Sequence, residues 1–411
     1  VRVLMALWGV GGHVPVEIGV ARRLVDAGHQ VTVIGEPTMQ PAATTVGARF
    51  TPWVTAPTAV EDDIADWECR TPLTVFPRLL SRLITGPSAR YAADVRTVAQ
   101  RDGFDAAVVD VALMGAQIGA ESLGIPTAVT IPNTYLRPTP GRPSFGLGHT
   151  PATNALTRLR DQTLPRVLDR FWDMGLRDLN TTRHDLGLDP LGHVFDQHDR
   201  AARVLVLTAE SFDYPTPHLP PNVRYVGPIL DDPTWADQPV DLPPGDEPLV
   251  LVSMSTSRTR GGPDLLHRVV EALADTPVRA IVTTGPGLIT TPSPRPGIRI
   301  VPTAPHALLL PHATAVVTHG GHGTVIKTLA AGKPLLVLPL GRDQPDNAAR
   351  VVRHGAGIHL RSTASPDDIS KALARLINQP TYRIAAETIG ARIGADTGER
   401  RITSELETIA G

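Results

Sequence analysis

Gly320, Gly321, Gly323 and Thr324 stand between the short apolar run Ala315-Val316-Val317 and a helix-compatible stretch from about Val325 to Ala331. A glycine-rich turn feeding a helix lets an anion approach bare backbone, where unpaired N–H groups and the positive end of the helix dipole hold it. Thr324 adds a hydroxyl donor and His319 an imidazole, so the chemistry suggested is the binding of a phosphate or diphosphate. Gly332 and Pro334 stop the helix, Leu335 to Leu338 reads as a buried strand, and Pro339-Leu340-Gly341-Arg342-Asp343-Gln344 is a polar loop at its end. Ligands of open α/β sheets sit at that edge.

A second candidate lies at the other end of the chain. Val1 to Leu7 is apolar apart from Arg2, Gly9 to Gly12 make a turn, and His13 precedes Pro15, near where a helix would begin. A lone histidine is ordinarily a satisfied turn residue, but its titration near neutrality also suits proton transfer. Such a histidine wants an acidic partner to fix its tautomer. Asp110 is the candidate, at the end of the strand-like Ala106-Ala107-Val108-Val109 and before a helix-compatible Leu113 to Leu123 that closes at Gly124. The same aspartate would also serve as a helix cap, and the two roles are compatible.

The elements needed to position these residues recur along the chain. Strand-like segments at Val1–Leu7, Gln30–Ile34, Ala106–Val109, Thr127–Ile131 and Val204–Thr208 alternate with helical stretches such as Pro15 to Ala27. Leu249–Ser253, Arg279–Thr283, Ile298–Val301, Ala315–Val317 and Leu335–Leu338 repeat the style, with a helix near Asp264 to Ala274. This alternation predicts an α/β fold with doubly wound parallel sheets. A chain of 411 residues suggests two domains of roughly 200 residues each. The Pro-rich, acidic stretch Gly227 to Pro248 has linker composition, which predicts domains at 1–226 and 249–411 around a linker at 227–248.

Composition narrows the partners. A formal net charge of -2 argues against a nucleic-acid or general membrane-binding surface. Cys69, the single cysteine, cannot form an internal disulfide, which favours a reducing, cytoplasmic compartment. No apolar run approaches the roughly 18 residues needed to span a bilayer, and Val1 to Leu7 reads as a strand rather than a signal peptide. The 40 prolines are spread among strands and helix starts, so they do not signal disorder.

The string His319-x-Gly321-x-Gly323-Thr324, then Gly332-x-Pro334, Pro339 and Asp343-Gln344-x-x-Asn347-Ala348, resembles the donor-site signature of inverting, nucleotide-sugar-dependent glycosyltransferases of GT-B fold. The resemblance is closest to actinobacterial enzymes that glycosylate natural products. It implies two Rossmann-like domains facing a central cleft, the first binding the acceptor and the second the nucleotide sugar. In that family the histidine and the Gly/Thr turn hold the diphosphate, and the Asp-Gln pair holds hydroxyls of the donor sugar. The N-terminal turn is similar to the family's Gly-His-x-x-Pro motif, which makes His13 the catalytic base and Asp110 its partner. The resemblance also implies no resident cofactor and no metal, the nucleotide sugar being a co-substrate. The last helical stretch, Ile384 to Ile409, would return to the first domain.

Other family positions fall on Ser253-Met254-Ser255-Thr256, where Ser255 replaces a glycine and Thr256 still offers a hydroxyl to the phosphates. Val301 to Leu310 corresponds to the base-reading segment. Thr303 stands where an aromatic is common, which leaves base recognition to the backbone near Ala304 and gives His306 a loop or stacking role. His29, His312 and His322 read as structural. Lys327 occupies the place of a glutamate that accepts from ribose hydroxyls in many UDP-sugar enzymes. A lysine has only donors, which tilts the expected donor towards a dTDP-sugar.

The acceptor side is thinner. Segments from about Thr51 to Ala89 and Leu136 to Phe171 carry Trp53, Trp67, Phe76, Tyr135, Phe145 and Phe171, which suit a hydrophobic aglycone pocket or the core. The amphipathic run Leu156 to Trp172 is expected to pack internally, because its arginines and aspartates are mixed. No acceptor-binding residue is assigned, and O- versus C-glycoside and oligomeric state stay open. A sugar-nucleotide epimerase of the same fold and a non-catalytic nucleotide-sugar-binding helper are the alternatives.

Overall fold

The structure is a computed structural model that describes residues 1–58, 62, 64–69, 72–137, 139–216, 219–236, 238–254, 259–285, 295–398 and 400–411. Two parallel sheets organise it. The first has seven strands: β1 (Arg2–Ala6), β2 (Gln30–Gly35), β3 (Arg49–Pro52), β4 (Ala106–Asp110), β5 (Thr127–Ile131), β6 (Arg203–Val206) and β7 (Val223–Tyr225), in the order β3-β2-β1-β4-β5-β6-β7. The second has six: β8 (Leu249–Ser253), β9 (Arg279–Thr283), β10 (Ile298–Val301), β11 (Ala315–Thr318), β12 (Leu335–Val337) and β13 (Gly357–His359), in the order β10-β9-β8-β11-β12-β13. β1, β4, β5, β8 and β11 are runs of apolar, often β-branched residues because helices cover both faces of each sheet.

Both sheets reverse direction of growth at one point, between β1 and β4 in the first and between β8 and β11 in the second. The register there pairs Ala6 with Val109 and Ser253 with Thr318. Crevices open at such switch points, beyond the carboxyl ends of the strands. The turn after β1, the end of β4, the end of β8 and the turn after β11 therefore frame two crevices.

Several boundaries differ from the sequence reading. The first helix spans His13–Asp26, so His13 is its first residue rather than a turn residue ahead of Pro15. The donor-loop helix is His322–Ala330, starting three residues earlier than Val325. The segment 227–248 is tied down rather than loose: Asp231 pairs with Arg22 and Arg23, and Asp232 with Lys327. Its acidic residues find cations on helices of both sheets. Of the C-terminal stretch, helix Pro380–Asp396 packs on the second sheet's helix His322–Ala330, whereas Arg401–Ala410 lies on the first sheet with Ile402 and Leu406 in its core.

Internal packing of Leu156 to Trp172 is corrected. Helix Ala155–Trp172 has no buried residue, and Leu156, Leu159 and Val167 face solvent. Its C-terminal end is held, Trp172 meeting Phe76 and Phe195 at 4.6 Å between ring centroids. Among the described residues no helix is long and apolar enough to cross a membrane.

Candidate active site

His13 and Asp110 meet. They are 97 residues apart in sequence, yet His13 Nδ1 lies 2.7 Å from Asp110 Oδ2. Adjacency of β1 and β4 brings them together, since His13 follows one strand and Asp110 ends the other. Asp110 is fully buried and its Oδ1 accepts from the N–H of Ala112 at 2.8 Å, so the carboxylate is held at both oxygens. The His13 side chain is 26% exposed, its ring packed edge-on against Trp8 at 4.8 Å. With Nδ1 on Asp110, Nε2 is the ring nitrogen turned to other partners. Asp110 pairs with the histidine but does not cap the helix that follows: the N-cap of helix Met114–Glu121 is Leu113, with no side-chain cap, and the bond from the Ala112 N–H closes a local turn.

The second group assembles around the turn after β11. His319 is 8% exposed, and burial pushes its imidazole down to about 4 despite the charge of Asp343 and a hydrogen bond to the Ser253 backbone. Near neutrality it is a neutral donor or acceptor, not a cation. Gly321 is the helix N-cap, and a Cβ there would come within 2.6 Å of His319 Nε2. A Cβ at Gly323, in the first turn, would meet no atom of the described residues within 4 Å beyond its own helix backbone. A Cβ at 321 would thus displace the histidine ring, whereas at 323 the described residues leave open space. Thr324 Oγ1 lies 3.4 Å from Ser253 Oγ, joining the donor helix to the end of β8. Thr256 and Ser255 lie outside the described residues.

Asn347, which sequence reading placed in the motif without a role, organises the loop. Its Nδ2 donates to Gly320 O at 2.9 Å and to Asp343 Oδ2 at 2.8 Å, and its Oδ1 lies 3.3 Å from His322 Nδ1. Gln344 is more constrained than expected. It is buried, and its Oε1 accepts from the N–H groups of Leu340 and Gly341 at 2.7 and 3.2 Å, closing its own loop. Among the described residues the loop thus engages its amide oxygen and not its amide nitrogen.

Ala304 and His306 adjoin the donor helix through a carboxylate. Asp232 accepts from the N–H of Ala307 and from Lys327 Nζ, both at 2.8 Å. Burial and the charge of Lys327 push His306 down to about 4. Lys327 is thus paired, because the 227–248 segment brings a carboxylate back beside it.

The two sheets are joined at their carboxyl edges by loops after β5 and β6, which bind the helix Gln344–Arg353 after β12. The N–H groups of Gly146 and Gly148 donate to Asp346 at 2.7 and 2.6 Å. Asp213 is held between Arg142, at 2.9 Å, and Arg350, at 2.8 Å. Sequence reading found none of these contacts, whose members are too far apart for any local signal.

Two Rossmann-like parallel sheets, with a His-Asp pair at the carboxyl edge of one and a glycine-rich turn at the carboxyl edge of the other, have the architecture of GT-B glycosyltransferases. The family model described as the C-terminal domain of erythromycin biosynthesis protein CIII-like proteins matches residues 267–409. The chain is 30% identical over 409 residues to 4'-demethylrebeccamycin synthase of Lentzea aerocolonigenes, covering 94% of each, and it belongs to that natural-product glycosyltransferase family. Its fold matches the solved glycotransferase of kitacinnamycin with a TM-score of 0.79 over 99% of this chain and 98% of that one, at 22% identity. It also matches glycosyltransferase VinC in complex with dTDP, with a TM-score of 0.65 over 100% and 99% and 20% identity.

Proposed function

We propose that this glycosyltransferase moves a sugar from a dTDP- or UDP-sugar to a hydroxyl of a hydrophobic natural product, with inversion, and that His13 is the general base. The observation that carries this reading is the 2.7 Å contact between His13 Nδ1 and buried Asp110. It fixes one nitrogen of the ring and leaves Nε2 to take the acceptor's proton as the acceptor oxygen attacks the anomeric carbon. The bond from that carbon to the diphosphate breaks on the opposite face, and a nucleoside diphosphate leaves. Its charge would be met by the start of helix His322–Ala330, by Thr324 and by His319. Asp343 and the Gln344 amide would hold sugar hydroxyls. The relatives' names support a natural-product acceptor and, in VinC, a thymidine nucleotide.

Incubation of dTDP- and UDP-sugars with a hydrophobic phenolic aglycone, in excess chelator, tests the reading. A glycoside of inverted anomeric configuration is expected. Retained configuration would defeat the displacement, metal-reversible loss would defeat the metal-free donor site, and sugar isomerisation without acceptor would support an epimerase.

A further inference from the structure

Glu17 is fully buried one helical turn beyond His13, on the same face of the same helix. A carboxylate so placed needs donors. It receives one: the Thr130 hydroxyl on β5 donates to Glu17 Oε1 at 2.6 Å. Among the described residues no donor group reaches Oε2. The ionisable group beside it is Asp110 of β4, the register partner of the same Thr130, and Asp110 meets His13 from Glu17's own helix.

Two adjacent carboxyl groups in a dry site cannot both ionise, and the donors decide which keeps the proton. Asp110 has the Ala112 N–H at 2.8 Å and the His13 ring at 2.7 Å. Glu17 has one hydroxyl. Burial first, and then the charge of Asp110, push Glu17 well above the usual carboxylate range. The proton of the pair therefore belongs on Glu17, and an Oε2–H directed at Asp110 accounts for the oxygen that no donor reaches.

We propose that Glu17 is a positioning residue of the His13–Asp110 pair, a buried carboxylic acid that donates its Oε2 proton to Asp110 and holds that carboxylate against His13. It rests on His13 being the base. The acid gives Asp110 a third hydrogen bond and fixes its rotation, while adding no second negative charge to the pair. Asp110 then presents a single charge and a fixed oxygen to Nδ1. Nε2 is left lone-pair outward, the state a general base requires.

Glu17→Gln keeps shape and supplies an N–H donor, and Glu17→Leu removes the donor. Isotope-edited infrared spectroscopy of the whole protein at neutral pH should show a protonated glutamic acid carbonyl stretch that disappears in Glu17→Gln. In single turnover Glu17→Leu should lose roughly tenfold or more in rate with nucleotide affinity little changed, and Glu17→Gln should recover most of that loss. Absence of the protonated band, or a Gln variant as slow as the Leu variant, would overturn the proposal. Should Glu17→Leu fail to fold, the band and the Gln variant still decide. If His13→Ala turned over normally, the base assignment would fall, whereas the infrared band would report on Glu17 regardless.

Discussion

Asp213 and Arg350 meet across the two sheets, carboxylate Oδ1 2.8 Å from guanidinium Nη2, with 1% and 3% of their side chains exposed. Arg142 closes on the same carboxylate at 2.9 Å and the Tyr225 hydroxyl donates to it at 2.7 Å. Burial alone would raise this carboxyl, but Arg350 and Arg142 outweigh it and hold it at about 2. The relationship fixes how the loop after β6 sits on the helix that begins at the proposed sugar site.

Replacing Asp213 with Asn leaves two buried guanidinium groups facing each other without a counter-charge. Breaking a buried pair this way costs about 3–5 kcal/mol, and urea unfolding of the variant at neutral pH should show it. The wild-type contribution has a defined pH window. A carboxyl depressed in the folded state stabilises fully above its unfolded value near 3.8, and loses that contribution as pH falls towards about 2. The variant should accordingly lose less stability than wild type between those limits. Equal losses would show that Asp213 is not the linked group.

His13→Ala should abolish transfer while nucleotide affinity stays nearly constant, because the proposed base touches the acceptor and not the diphosphate. Asp110→Asn should fold and slow the reaction by about 10² to 10⁴ through loss of the fixed imidazole. Single-turnover product formation and nucleotide titration separate the two effects. An Asp110→Asn protein that does not fold would mean that its bond to the Ala112 N–H dominates.

Gly321 and Gly323 should separate by assay. Gly323→Ala places its methyl where no atom of the described residues outside its own helix backbone lies within 4 Å. Thermal stability should be retained or rise slightly as an alanine enters a helix, while nucleotide binding weakens by about tenfold or more. Gly321→Ala instead meets the His319 ring at 2.6 Å and should lower both. Unchanged nucleotide affinity in Gly323→Ala would remove the diphosphate from this turn.

Nucleotide preference turns on Lys327 and Asp232. A dTDP-sugar should be used at least as well as its UDP counterpart. Lys327→Glu would set a like charge against Asp232, where 2.8 Å now separates an ion pair, and should weaken both donors by roughly tenfold. A variant that instead gained UDP-sugar turnover would show that Asp232 does not govern this corner of the site.

Local chemistry carried much of this protein in its sequence. The parallel strands were legible because strands covered on both faces must be continuously apolar, and the anion turn because glycines, a helix start and a hydroxyl are all local features. The strings around His13, Asp110 and His319 to Asn347 could be read for the same reason. Helix starts were misplaced at His13 and His322, where nothing local forbids an earlier first turn. Pairing was another matter. That β1 lies beside β4 and β8 beside β11 is decided by which strands cover one another, and this alone joins His13 to Asp110 and Ser253 to Thr324. Lys327 read alone offered only donors, and the fold placed Asp232 against it. Nothing in the sequence singled out Glu17. Only burial beside Asp110, with a single hydroxyl to serve it, made it part of the site, because desolvation and neighbouring charge are properties of the packed interior and not of the string.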